Sequence, residues 1–207
     1  TTGMELSKHY VADTTLYEES FLRAFKQFYG ETSDYTILAL LPSYLEREGS
    51  SLIYMVDRLI KDSENPSSGF YLHNTEDLVT KLLEQEKQGK KTLLIGVSYA
   101  LLDLIEDFDL PALQHTIIME TGGMKGKRKE LIKQELHKIL AQGFGVSHIH
   151  SEYGMTELLS QAYSSGNGFF NTPAWMRILT RDTEDPLSYI EHQTGGINVI
   201  DLANLHS

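Results

Sequence analysis

Tyr153, Gly154, Thr156 and Glu157 fall within one short run, Ser151-Glu152-Tyr153-Gly154-Met155-Thr156-Glu157, and together they carry the groups that a nucleotide and its metal require. Tyr153 offers a ring face to a purine, and Gly154 lets the backbone turn close to a ligand. Thr156 can donate to a phosphate oxygen, and Glu157 can give a hard oxygen to magnesium. The same residues also fit a plainer description, a strand end followed by an amphipathic helix that Thr156 and Glu157 cap. His148-Ile149-His150 has the pattern of a short strand running into the motif, and Glu157 to Tyr163 that of a helix leaving it. Upstream, Ile117-Ile118-Met119-Glu120-Thr121-Gly122-Gly123-Met124 is a second apolar run that breaks into a glycine turn. Two such turns at neighbouring strand ends make the crevice in which open α/β sheets bind ligands.

The elements that must position these turns alternate between helix and strand periods. Thr15 to Tyr29 is expected to be a helix with Leu16, Phe21, Phe25 and Phe28 on one stripe, ended by Gly30. Tyr35 to Leu41 is a continuous apolar run, the pattern of a strand covered on both faces. Ser50 or Ser51 can cap a helix carrying Ile53, Val56, Leu59 and Ile60 inward. Phe70 to Leu72 is a short strand, and Thr75 to Gln88 a helix opened by Thr75. Thr92 to Val97 is a further strand, with Ser98 capping the helix after it, and Thr116 to Met119 another. A helix over Glu130 to Leu140 places Leu131, Ile132, Leu136, Ile139 and Leu140 on its apolar side. Alternation of this kind predicts an α/β fold with a mostly parallel sheet flanked by helices. Beyond residue 170 the pattern changes to two strands, Trp175 to Arg181 and Ile197 to Asp201. The expected division is therefore an α/β nucleotide-binding core over 1–170 and the start of a β-rich subdomain over 171–207.

Composition narrows the class. The chain has 207 residues, 41% hydrophobic and 23% charged, values of an ordinary globular domain. A formal net charge of −11 argues against general nucleic-acid binding. An anionic nucleotide would need local help from backbone amides and a metal. The absence of cysteine excludes a disulfide scaffold and any Cys-ligated zinc or iron–sulfur site. No apolar run approaches the roughly 20 residues of a membrane helix, and no signal-like segment opens the chain, so the cytoplasm is the expected location.

Other motifs are weaker. The closing glycine of a serine-hydrolase elbow is missing after Gly96-Val97-Ser98, where Tyr99-Ala100 stands instead. No Gly-x-Gly-x-x-Gly opens a helix after a strand, against a Rossmann site. Lys125-Gly126-Lys127-Arg128-Lys129 could attract phosphates, but a solvated first helical turn explains it better. His148 and His150, two apart on an expected strand, share a face without a third metal ligand. Asp182, Glu184 and Asp185 lack calcium-loop spacing.

Taken in order, Thr1-Thr2-Gly3, Gly122-Gly123 and Tyr153-Gly154-Met155-Thr156-Glu157 resemble the phosphate loop, adenine-contacting turn and Tyr-Gly-x-Thr-Glu motif of the adenylate-forming acyl and aryl ligases. Within that superfamily the chain is most similar to the acyl-protein synthetases, relatives of the fatty-acid-activating subunit of bacterial luminescence systems. The wording that points there is Leu41-Pro42-Ser43-Tyr44-Leu45-Glu46-Arg47-Glu48-Gly49-Ser50-Ser51, Glu120 to Gly126 and His150 to Glu157. The resemblance implies the fold of the large N-terminal domain of those enzymes, with ATP and Mg2+ as cofactors. It further implies that Glu157 ligates magnesium, Thr156 contacts the α-phosphate and Tyr153 stacks on adenine beside Gly154. Gly122 and Gly123 would edge the adenine pocket, and Thr1, Thr2 and Gly3 would touch the β- and γ-phosphates. Tyr44, Ser98, Tyr99, Met155 and Leu158 are candidate walls for the acyl group.

The partners implied are a carboxylic acid, a thiol acceptor on a protein cysteine or CoA, and a reductase or acyl-transfer protein. Two departures from the family pattern stand out. The chain opens inside the phosphate loop and stops before the family's ribose-binding aspartate and its lysine-bearing C-terminal domain, so it is expected to be a fragment, inactive alone. It also lacks the acyl-accepting cysteine of the luminescence-type enzymes. An aryl- or phenylacetate-type CoA ligase and a nucleotide-binding domain without catalysis remain as alternatives.

Overall fold

Buried apolar runs build one central sheet. A computed structural model of the chain describes residues 8–42, 49–72, 74–124 and 126–204. Strands β1 (Thr36–Leu40), β3 (Thr92–Val97) and β4 (Thr116–Thr121) are the three long apolar segments, and β1 and β3 are buried throughout. With β2 (Gly69–Phe70), β5 (His150–Tyr153) and β6 (Ala162–Ser164) they form six strands in the order β2-β1-β3-β4-β5-β6. The first five are parallel, and only β6 runs antiparallel, against β5. The fully covered strands are what a parallel sheet with helices on its faces demands. The expected mostly parallel α/β fold is therefore the observed one.

The helices are α1 (Thr14–Tyr29), α2 (Ser51–Asp62), α3 (Thr75–Lys87), α4 (Ser98–Asp107) and α5 (Lys133–Phe144). Each buries a stripe and leaves its other face wet, and α1 packs on α2 and α4 on α5. In α1 the stripe is Tyr17, Phe21, Ala24 and Phe25, with Leu16 displaced toward solvent and Asp13 accepting from Thr15 N–H as the cap. Ser50 caps α2, whose buried residues are Met55, Val56 and Leu59. Gly145 ends α5 in the left-handed conformation (φ 62°), where a Cβ would lie 2.5 Å from Ala112 Cα, so both backbone and packing require glycine.

Several local expectations fail for identifiable reasons. Helix α5 starts at Lys133 rather than Glu130, and Ile132 is 70% exposed just before it. The basic stretch after Gly122-Gly123 thus lies in an irregular connection, where Arg128 pairs with Asp103 and Glu106 of α4, while Lys125 lies outside the described residues. Ser98 does not cap α4; it is the first helical residue and its buried hydroxyl turns to the neighbouring strand. Residues 154–161 form a turn leading to β6, so the helix expected from Glu157 to Tyr163 is absent and neither Thr156 nor Glu157 caps one. Strand β5 begins at His150; His148 precedes it, so the two histidines do not share a strand face. Among the described residues no group of three metal-binding side chains is present.

At α3 the cap is Asn74, whose Oδ1 accepts from Asp77 N–H at 3.2 Å, rather than Thr75. Asn74→Ala should therefore cost about 1 kcal/mol of stability, and Thr75→Ala much less. Urea melts of the two variants check this; equal losses would reassign the cap.

Strands β7 (Met176–Arg181) and β8 (Gly196–Asp201) pair antiparallel in a separate two-stranded sheet. Such a ribbon is marginal alone, and polar ties fasten it to the core. Trp175 Nε1 donates to Ser20 and Ser160 at 3.0 Å each. The Asp201 carboxylate accepts from Leu159 N–H at 2.9 Å and the Ser160 hydroxyl at 2.6 Å.

Candidate functional site at the carboxyl ends of β4 and β5

The two glycine turns expected to face a ligand lie side by side. Strands β4 and β5 pair through Met119 with His150 and Glu120 with Ser151, so Gly122-Gly123 and Tyr153-Gly154 leave adjoining carboxyl ends of parallel strands. Gly122 is exposed and left-handed (φ 74°), a conformation that a side chain would strain. Gly154 has an ordinary φ but little room, because a Cβ there would meet Glu152 Oε1 at 2.9 Å. Thr121 ties the two ends together by donating its hydroxyl to Glu152 Oε2 at 2.6 Å.

Tyr153 is half-buried; its hydroxyl donates to Met155 Sδ at 2.9 Å, and Phe170 stands edge-on at 6.0 Å between ring centres. Thr156 and Glu157 follow in the exposed turn, where the Glu157 carbonyl accepts from Asn204 Nδ2 at 2.6 Å. Of the candidate acyl-group walls, Ser98, Tyr99 and Leu158 are buried and Met155 is exposed. Thr1, Thr2, Gly3 and Tyr44 lie outside the described residues.

Beneath these turns lie charged groups that the motif reading passed over. Glu120 is 2% exposed, and its Oε1 accepts from Lys133 Nζ at 2.6 Å and from the Ser151 hydroxyl at 2.5 Å, with His137 Nε2 at 3.3 Å. Its Oε2 accepts from Ser98 at 3.3 Å. Burial alone would raise this carboxyl, but the bonds from His137, Lys133 and Ser151, with the charge of Lys133, outweigh it and hold the acid below its ordinary value. Glu152, on the opposite face of the sheet from Glu120, behaves inversely. Burial, reinforced by the charge of Glu120, pushes it up to about 7 against the lowering effects of Thr121 and Lys133.

The signal that could have found both acids is their position. A glutamate inside a run otherwise suited to a strand covered on both faces must be paired or neutral, and Glu120 and Glu152 are the two outcomes of that rule. Ser151, His137 and Glu120 also carry the residue types of a hydrolase triad. Ser151 is fully buried and donates to the glutamate rather than to the histidine, which leaves no reachable nucleophile.

The fold brings the Gly122-Gly123 and Tyr153-Gly154 turns together at the carboxyl edge of a mostly parallel sheet in an α/β domain. No family model matches the chain, and no curated protein matches it in sequence. Solved structures do share its fold. Apo MatB from Rhodopseudomonas palustris is similar with a TM-score of 0.69 at 15% identity, over 99% of this chain and 38% of MatB. ATP-bound MatB gives 0.67 at 14% identity, over 91% and 36%. An ATP-bound RpMatB–BxBclM chimera gives the same four values. The chain thus spans little more than a third of the MatB proteins it resembles.

Proposed function

We propose that this chain is the nucleotide-binding part of an ATP-dependent enzyme that activates a carboxylic acid as its acyl-adenylate, of the acyl-protein synthetase type. The observation that carries the reading is the pairing of the Gly122-Gly123 and Tyr153-Gly154 turns at adjoining carboxyl ends of β4 and β5, in a fold shared with ATP-bound MatB. In that reading 1–170 is the nucleotide-binding core and 171–207 begins a β-rich subdomain. Tyr153 stacks on adenine, Gly122, Gly123 and Gly154 let the backbone approach it, and Thr156 donates to the α-phosphate. Thr1, Thr2 and Gly3 serve the β- and γ-phosphates.

Magnesium fits the site in the way this ion commonly binds beside nucleotides, through one or two carboxylates with phosphate oxygens and waters completing the shell. Glu157 is an exposed carboxylate in the turn, and no cage of three acids or histidines surrounds it among the described residues. When bound, the ion supplies charge neutralisation on the phosphates. In the reaction a substrate carboxylate oxygen forms a bond to the α-phosphorus as the bridge to the β-phosphate breaks and pyrophosphate leaves. The chain's part is positioning, since in-line displacement gains most from holding the reactants aligned. A thiol, on a protein cysteine or CoA, then gives up its proton and attacks the acyl carbon, the bond to the phosphate oxygen breaks and AMP leaves. A reductase or acyl-transfer protein would use the thioester. A CoA ligase acting on aryl or phenylacetate-type acids is the neighbouring alternative, distinguished by turnover with free CoA.

The full-length protein should exchange labelled pyrophosphate into ATP only when a carboxylic acid and magnesium are both present. Fatty acids are the first series to assay, aryl acids the second. Exchange without any acid, or none with either series, would overturn the reading.

A further inference from the structure

A concavity opens at the opposite end of the same strands from the glycine turns. It has a volume of about 240 Å3 and is lined by Phe28, Tyr29, Tyr35, Tyr163, Ile117 and His150, with Ser165 and Asn171 exposed at its mouth. Ile117 and His150 lie at the amino-terminal ends of β4 and β5, and Tyr35 just precedes β1, so this hollow faces away from the Gly122 and Gly154 turns. Its walls are mostly rings held by one another. Tyr29 and Tyr163 meet edge to face at 5.3 Å, Phe28 and Tyr163 at 5.5 Å, and Tyr29 and His150 at 5.7 Å between centres.

From these walls we infer a second binding site, for a small uncharged aromatic molecule of the phenol class, one ring with one hydrogen-bonding substituent. Size sets the ring count. An engineered cavity of about 150 Å3 takes benzene, whereas sites for drug-sized ligands start at roughly 300 Å3, so 240 Å3 suits one substituted ring and not a nucleotide.

Polarity sets the substituent. The Tyr163 ring forms part of the wall, but its hydroxyl is buried out of reach of water and so offers the hollow no polar group. Tyr35 gives its proton to the Tyr29 carbonyl at 2.8 Å, and the Tyr29 hydroxyl meets His150 Nδ1 at 3.2 Å, leaving the second imidazole nitrogen for a ligand.

Charge is disfavoured. No lysine or arginine is among the lining residues; Lys91 stands 5.8 Å over the Tyr35 ring but is paired with Asp34 at 3.7 Å. Burial, with the charge of His148 adding, pushes His150 down to about 4, so the imidazole is neutral near pH 7. A carboxylate or ammonium would meet no unpaired counter-charge among the described lining residues.

The test uses 4-fluorophenol as probe and fluorine NMR on the 207-residue protein, with 4-fluorobenzoate and cyclohexanol as comparators. Saturable binding of 4-fluorophenol with Kd of about 1 mM or tighter is expected, together with transfer of magnetisation between its ring protons and the His150 imidazole. Ile117→Trp fills the hollow and should weaken binding at least about tenfold. The magnetisation transfer locates the ligand without any variant, should Ile117→Trp not fold. Absence of saturable binding, transfer that misses His150, undiminished binding in a folded Ile117→Trp protein, or equal binding of benzoate or cyclohexanol would each overturn the inference. ATP should not compete, since its proposed site lies at the opposite edge of the sheet; displacement by ATP would place the probe there instead.

Discussion

Glu157→Gln in the full-length protein is expected to slow adenylation about a hundredfold or more, equivalent to roughly 2.7 kcal/mol, while the melting temperature stays nearly unchanged. The two expectations separate because of where the residue sits. Residues 154–161 form a turn, so Glu157 caps no helix and its substitution removes no cap. Its backbone carbonyl, which accepts from Asn204, keeps that bond whatever the side chain. Exposed substitutions away from packing usually move stability by less than about 0.5 kcal/mol. What glutamine loses is the full negative charge that holds a divalent ion. Acid-dependent pyrophosphate exchange and thermal melting, measured on one preparation at saturating magnesium, decide the matter. Near-normal turnover would sink the metal role proposed for Glu157, and a large fall in melting temperature would mean that the side chain is structural.

The sheet was legible because its strands obey one rule. Thr36–Leu40, Thr92–Val97 and Thr116–Thr121 are apolar runs of strand length, and a parallel sheet needs strands hidden on both faces. Helix ends were less legible. Asp13 and Asn74 each precede a threonine that could also cap, and the choice depends on which side chain the backbone turns toward the free N–H groups. The segment after Gly154 departs from its helical periodicity for another reason. Leu158, Leu159, Ala162 and Tyr163 satisfy a helical stripe, yet Leu159, Ala162 and Tyr163 are buried by a turn and a short antiparallel strand that pairs with β5. Tertiary pairing overrides local periodicity in a segment this short.

The site divides along the same line. Turns are local, so Gly122-Gly123 and Tyr153-Gly154 could be placed at strand ends from the chain alone, and β4–β5 pairing then made them neighbours. The Glu120 cluster is not local. It joins Ser98, Glu120, Lys133, His137 and Ser151 from four elements, and no spacing in the sequence announces it. Only the presence of an acid in a covered strand hinted that partners had to exist.

Glu152 makes the sharpest thermodynamic claim on this structure. Its carboxyl rises from an ordinary 4.5 to about 7, chiefly through burial. Folding therefore favours the protonated acid. The stability that this preference represents is fully present below about pH 4.5 and is lost as pH rises through 7, because the unfolded chain ionises freely while the folded one resists. Glu120 has the opposite sign. Its lowered value adds stability above the ordinary carboxylate range that fades as pH falls through the depressed value. Glu152→Gln removes the first dependence and leaves the second. The amide keeps an oxygen to accept from Thr121 and has no charge to bury, so the variant should be more stable than the parent by about 2 to 3 kcal/mol near pH 8.5. Near pH 5 the advantage should shrink to below about 1 kcal/mol. Urea titrations of both proteins across that range give the difference directly. A gain that stays constant with pH would show that Glu152 is not held protonated by folding, and a loss at high pH would show that its charge is satisfied where it lies.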